Sequence, residues 1–138
     1  MKALTPYLVF DGNCKEAMAF YQQCLGGELH EMPWEQAPDG TPPASPGRLL
    51  HAALMNGQML LMASDGQPGE PVKQGDSVML SLGCDSDDEV AELYARLMDG
   101  GKEVMAPHDA FWGARFAMLT DRFGNTWMLS HDRSQQQS

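Results

Sequence analysis

The chain has 138 residues, with 9 Lys plus Arg against 19 Asp plus Glu and a formal net charge of −10. That charge repels nucleic-acid phosphates and anionic lipid headgroups, so neither is an expected partner. The length is that of one ordinary domain. No apolar run at the N-terminus is long enough for a signal peptide, and none approaches the roughly 20 apolar residues of a membrane span, so a cytoplasmic location is expected.

Thr5 to Phe10 is apolar and β-prone, and Asp11-Gly12-Asn13 breaks it. A helix follows, with Asn13 and Glu16 spaced as a capping box and Cys14, Ala17, Met18, Tyr21, Cys24 and Leu25 on one face. Gly26-Gly27 stops it. Strands are expected at Glu28 to Met32, Leu49 to Met55 and Gln58 to Ser64, the last two joined by a two-residue turn at Asn56-Gly57. Between Pro33 and Gly47 stand five of the nine prolines, so this stretch is expected to be an irregular, mobile flap. A further loop is expected from Asp65 to Asp76.

The second half repeats the order of the first. Val78 to Cys84 is a strand; Ser86 and Glu89 form a capping box; Val90, Leu93, Tyr94 and Leu97 make the buried stripe; Gly100-Gly101 ends the helix. Lys102 to Met105, Ala114 to Thr120 and Thr126 to Ser130 complete the strands, with a short loop at Ala106 to Gly113 and a turn at Gly124-Asn125. Ser134 to Ser138 is a polar tail expected to be disordered. A strand, a helix and three strands, written twice, predict an α+β fold of two βαβββ units. The units span about residues 5–64 and 78–131 of one domain, 1–133, whose halves share a core.

Cys14, Cys24 and Cys84 are odd in number and lack a Cys-x-x-Cys pair, which fits buried, reduced thiols. The four histidines, His30, His51, His108 and His131, show no metal-binding spacing. His51 interrupts an apolar strand and faces the side of Leu49, Ala53 and Met55, where an imidazole in a cavity would serve as base or ligand anchor. A hydrogen bond inside the fold explains it equally simply. Phe111-Trp112-Gly113 with Arg115 is either a pocket mouth, with aromatic faces and a guanidinium for a carboxylate or phosphate, or a hydrophobic plug. Trp34, at the start of the flap, is a candidate lid or subunit contact, whereas Trp127 reads as core. Asp65 and Asp121 are accounted for by turn chemistry.

Several separated motifs carry a resemblance. They are Phe10-x-Gly12-Asn13-Cys14-x-Glu16-Ala17-x-x-Phe20-Tyr21, His51-Ala52, Leu61-Met62-Ala63-Ser64-Asp65, Phe111-Trp112-Gly113 and Thr120-Asp121-Arg122-Phe123-Gly124-x-x-Trp127-Met128. With the duplicated βαβββ order, these resemble the vicinal oxygen chelate superfamily (glyoxalase, bleomycin resistance and dioxygenase proteins), in its PhnB-like branch. The resemblance implies a cavity under each curved sheet, a homodimer, and metal ligands at or near Thr5, Leu61 or Met62, Val78 and Met128. None of those is a His or a carboxylate, and thioether and aliphatic groups do not replace such donors. Neither a metal nor a cofactor is therefore expected, although a metal-dependent lyase, isomerase or dioxygenase with other ligands, such as His51, stays open, as does a sequestering resistance protein. The 3-demethylubiquinone methyltransferase label attached to that branch finds no support in a strand-to-helix turn with a single glycine. The expected role is binding of a small, partly apolar molecule by His51, Phe111, Trp112, Arg115 and Trp34.

Overall fold

The computed structural model describes residues 1–34, 47–67 and 69–133. The chain forms two compact units, Met1–Lys73 and Gln74–Ser138. The first holds β1 (Tyr7–Phe10), α1 (Cys14–Leu25), β2 (Glu28–Pro33), β3 (Leu49–Asn56) and β4 (Met59–Asp65). The second holds β5 (Leu80–Gly83), α2 (Asp87–Leu97), β6 (Lys102–Asp109), β7 (Ala114–Thr120) and β8 (Thr126–Asp132). The sheets run β1-β4-β3-β2 and β5-β8-β7-β6, with the first pair of each parallel and the others antiparallel. The expected α+β architecture of two βαβββ units is what forms. Most of the flap and the whole tail, residues 35–46 and 134–138, lie outside the described residues.

Each sheet buries one face under its own helix. In the first unit, Ala52, Leu54, Leu61 and Ala63 alternate inward and meet Cys14, Ala17, Met18, Tyr21 and Cys24 of α1. Phe20 is buried as well, so α1 hides a wider stripe than the predicted face. In the second unit, Ala117, Leu119, Trp127 and Leu129 lie with Val90 and Leu97 in the core, while Leu93 and Tyr94 are only half-buried.

The two helices start differently. Ser86 accepts a hydrogen bond from Glu89 N–H at 3.0 Å, as its spacing predicts, and Glu89 reaches back to Asp85 N–H at 2.9 Å rather than to the cap residue itself. Asn13 makes no side-chain cap bond. The start of α1 is held instead by Asp65, at the end of β4, whose carboxylate accepts from Gly12 N–H at 2.7 Å and Cys14 N–H at 3.0 Å. Its other oxygen accepts from Leu49 N–H at 2.8 Å. Arg48, buried beside it, donates to Asp11 at 3.2 Å and to the Gly66 carbonyl.

The paired glycines do two jobs. Gly26 and Gly100 adopt positive φ, 76° and 80°, and turn the chain out of each helix. Gly27 and Gly101 let the chain touch the neighbouring strand, since a Cβ there would collide with the carbonyl oxygens of Met55 and Thr120. The β3–β4 turn is displaced from expectation. Asn56 pairs with Met59, which leaves Gly57 (φ 60°) and Gln58 as the turn, and Asn56 donates its side-chain amide to the Leu25 carbonyl at 2.8 Å. Asn56 thus closes the end of α1. The first half of the predicted loop 106–113 is strand, because β6 runs to Asp109 with two register shifts. An edge strand tolerates Pro107 there, having a side that needs no donor.

Replacing Asp65 by Ala strands two buried donors and one part-buried donor at once and should cost about 3 kcal/mol in urea unfolding. Asp65→Asn should recover part of that loss, because one amide oxygen still accepts. Equal stability of all three proteins would refute the role given to this carboxylate.

Candidate functional site

Two groups of candidate residues, around His51 and around Trp112, fall on the faces that the helices leave uncovered. In the first unit, His51 stands between half-buried Leu50 and buried Ala52 on β3 and faces away from α1, with Ala53 and Met55. Register adds Met32 opposite His51, Met62 opposite Ala53 and Tyr7 opposite Met62. Tyr7 and His51 meet across the intervening β4: the phenol oxygen lies 3.1 Å from His51 Nδ1 and the ring centroids are 5.8 Å apart. Tyr7, Val9, Met32, Met55 and Leu60 all remain exposed. A largely apolar sheet surface therefore faces outward, with the Tyr7–His51 pair at its centre, Ser64 beside it and the exposed Glu28 and His30 along the β2 edge. Spacing alone gave His51 no partner, and 44 residues separate it from Tyr7.

The corresponding surface of the second unit is aromatic. Phe111 and Trp112 follow β6, Phe116 lies on β7 and His108 on β6 opposite it. Trp112 meets Phe111 edge-on at 5.0 Å and Phe116 at 5.5 Å, and His108 meets Phe116 at 6.0 Å. Phe111 is 97% exposed and Trp112 52% exposed, so these rings do not plug the unit's core. His108 Nδ1 bonds to the Ala106 carbonyl at 2.8 Å.

Arg115 lies apart from that ladder. Its neighbours in register are Asp109 and His131, and it donates to Asp109 at 3.1 Å. Arg133 bonds both Asp109, at 2.8 Å, and Asp87. His131 Nδ1 lies 2.8 Å from Asp87 Oδ1, while its buried Nε2 has no partner among the described residues. Nothing in the spacing of these residues pointed to this cluster, since it joins the start of α2 to the ends of β6 and β8. Trp34 follows β2, bonds through its backbone to the Arg48 carbonyl at 3.3 Å, and keeps Nε1 buried without a partner among the described residues.

The three thiols are free and buried. Burial, reinforced by Asp65 and Glu31, pushes Cys14 up to about 12, and burial with Glu89 pushes Cys84 up to about 11. Both are protonated at neutral pH and unsuited to nucleophilic attack. Asp121 accepts from Phe123 and Asn125 N–H, a local turn, and also from Trp127 Nε1 at 2.8 Å, which anchors that core indole.

The positions where a metal is implied do not fit one. Leu61 is buried beneath α1, which leaves Met62 on the open face; Met128 pairs with Ser81; Thr5 and Val78 precede their strands. Thioethers, a hydroxyl and alkyl groups are not a donor set for a hard or borderline divalent ion. Among the described residues, no three His, Cys, Asp or Glu side chains gather in a way that holds a metal ion.

Two mixed four-stranded sheets, each βαβββ and each with one helix-covered and one open face, define the class: a duplicated α+β scaffold of the glyoxalase type. The sequence model of the Glyoxalase/Bleomycin resistance protein/Dioxygenase superfamily matches residues 3–129, and the chain belongs to that superfamily. It is 32% identical to Protein YjdN of Escherichia coli K12, over 92% of this chain and 93% of that one. The crystal structure of protein PA1353 from Pseudomonas aeruginosa superposes with a TM-score of 0.86 at 39% identity, covering 96% of this chain and 98% of that one. A PhnB protein from Bacillus cereus shares the fold, with a TM-score of 0.74 at 21% identity, over 94% of this chain and 99% of that one.

The carboxylate cluster makes stability depend on pH. Hydrogen bonds from Arg133 and His131 hold Asp87 down at about 2, below its ordinary 3.8, and Arg115 with Arg133 lowers Asp109. A depressed carboxyl contributes stability above its unfolded value and loses it as pH falls through its folded one, here from about 4 towards 2. Circular dichroism during acid titration should show Asp87→Asn flattening that limb of the stability curve. An unchanged limb would mean that the pair contributes nothing to folding.

Proposed function

We propose that this protein, a member of the PhnB-like branch, binds a small and partly apolar molecule on the helix-free faces of its sheets without metal chemistry. The observation that carries this reading is the first unit's open face, where exposed Tyr7, Val9, Met32, Met55 and Leu60 surround the hydrogen-bonded Tyr7–His51 pair. Apolar surface with a few convergent polar groups is the usual composition of a ligand site. Phe111 and Trp112 offer flat apolar area in the second unit, and Trp34 a contact at the edge of the first. Arg115 contributes less directly, its charge being met by Asp109. The absence of imidazole or carboxylate donors at the four implied metal positions favours binding over Lewis-acid catalysis.

The same proposal makes the two units one domain and the chain a cytoplasmic homodimer. Exposed Met79, Val104 and Met105 are the apolar side chains that a second copy would cover. Sedimentation should return twice the mass of one chain, and a monomer at micromolar concentration would remove that part.

Ligand binding is checked by melting temperature and by fluorescence of Trp34, Trp112 and Trp127 against a panel of small aromatic and aliphatic compounds. A true ligand at a hundred times its Kd adds about 2.7 kcal/mol of stability. EDTA should leave the melting temperature unchanged. Stoichiometric metal in native protein that disappears in His51→Ala would overturn the metal-free reading, and a panel without any binder would overturn the binding one.

A further inference from the structure

The Tyr7–His51 pair fixes what kind of polar group the first unit's open face can receive. A neutral imidazole nitrogen is a better acceptor than a phenol oxygen, so the 3.1 Å bond runs from Tyr7 O–H to His51 Nδ1. The ring proton then resides on Nε2, because the tautomer is set by the bond that the other nitrogen makes. Nε2–H is left as a donor with no acceptor among the described residues, on a half-buried ring. Beside it in the sheet, the side chains of Met32, Ala53 and Met62 carry no oxygen acceptor, and Ser64, level with Val9 on the same face, presents a hydroxyl.

The duplication isolates this feature. Strands β3 and β7 bury their residues in the same order, and the third position of each is His51 in one and Phe116 in the other. The second unit therefore holds an aromatic ring where the first holds a hydrogen-bond donor. A donor at that place is not demanded by the scaffold, since the repeated unit forms without it.

We propose that the first unit recognises the acceptor oxygen of an otherwise apolar small molecule, a ketone or carboxylate on a hydrocarbon body, with His51 Nε2–H donating and Tyr7 acting as a positioning residue that sets the tautomer. This rests on the reading of the open face as a binding surface. The geometry requires no bond to be made or broken.

Acetophenone and ethylbenzene, nearly isosteric and differing in the acceptor oxygen, are the probes. Full-length protein is titrated with each, following backbone amides and the imidazole nitrogens of His51 by NMR. Acetophenone should bind about five- to tenfold more tightly than ethylbenzene, as one hydrogen bond implies, and shift His51 Nε2. His51→Phe should abolish the difference without weakening ethylbenzene, and His51→Gln, which keeps a donor, should retain part of it. Tyr7→Phe should leave the His51 tautomers mixed. Equal affinities for the two probes, a difference that survives His51→Phe, or a ring proton found on Nδ1 in the wild-type protein would each overturn the proposal while leaving apolar binding intact. Should neither probe shift any residue of this face, the binding reading falls, and this one with it.

Discussion

Asp65 is the constraint on which the first unit depends. One buried carboxylate at the end of β4 accepts backbone N–H groups from the β1–α1 connection, from the first turn of α1 and from the start of β3. These are donors that nothing else on their own elements satisfies, and an unpaired buried donor is costly. Because all three converge on one side chain, the strand that closes the unit also fixes where its helix begins. Arg48, tied to Asp11 and Gly66, braces the same corner.

The second unit reaches the same topology by other means. Ser86 caps α2 from within its own sequence, and the end of the last strand contributes His131, bonded to Asp87. Arg133 and Asp109 extend that contact into a cluster, so the helix start is linked to β6 and β8 through ion pairs beside its own Ser86 cap. Duplicated scaffolds keep the hydrophobic alternation that buries each helix and vary the polar joints. The same division separates the open faces: methionines around a tyrosine and a histidine in one unit, an edge-to-face aromatic ladder in the other.

Much of this was legible in the chain. Alternating apolar residues, glycine pairs after each helix and the repeated order of elements gave every strand and both helices, and the strand Ala114–Thr120 to its ends. Local rules failed where a tertiary partner outbid them. Asn13 and Glu16 spell a capping box, but Asp65 already supplies an acceptor at that helix start. Asn56-Gly57 spells a turn, but Asn56 is drawn into the strand and its amide onto the end of α1, which moves the turn by one residue. The first half of the loop predicted after Met105 is strand because an edge position removes the usual penalty on proline.

The amino-acid sequence by itself determined the βαβββ duplication, the buried faces of its helices and the lack of metal donors at the implied positions, since these follow from periodicity, glycine placement and residue chemistry. Only the tertiary structure decided which polar groups act together. Tyr7 joins His51, Asp65 joins Gly12 and Leu49, and His131 joins Asp87, each pair brought together by sheet register or helix docking across 16 to 53 residues of chain. Side-chain partnership at such distances is set by strand order, to which local spacing is blind.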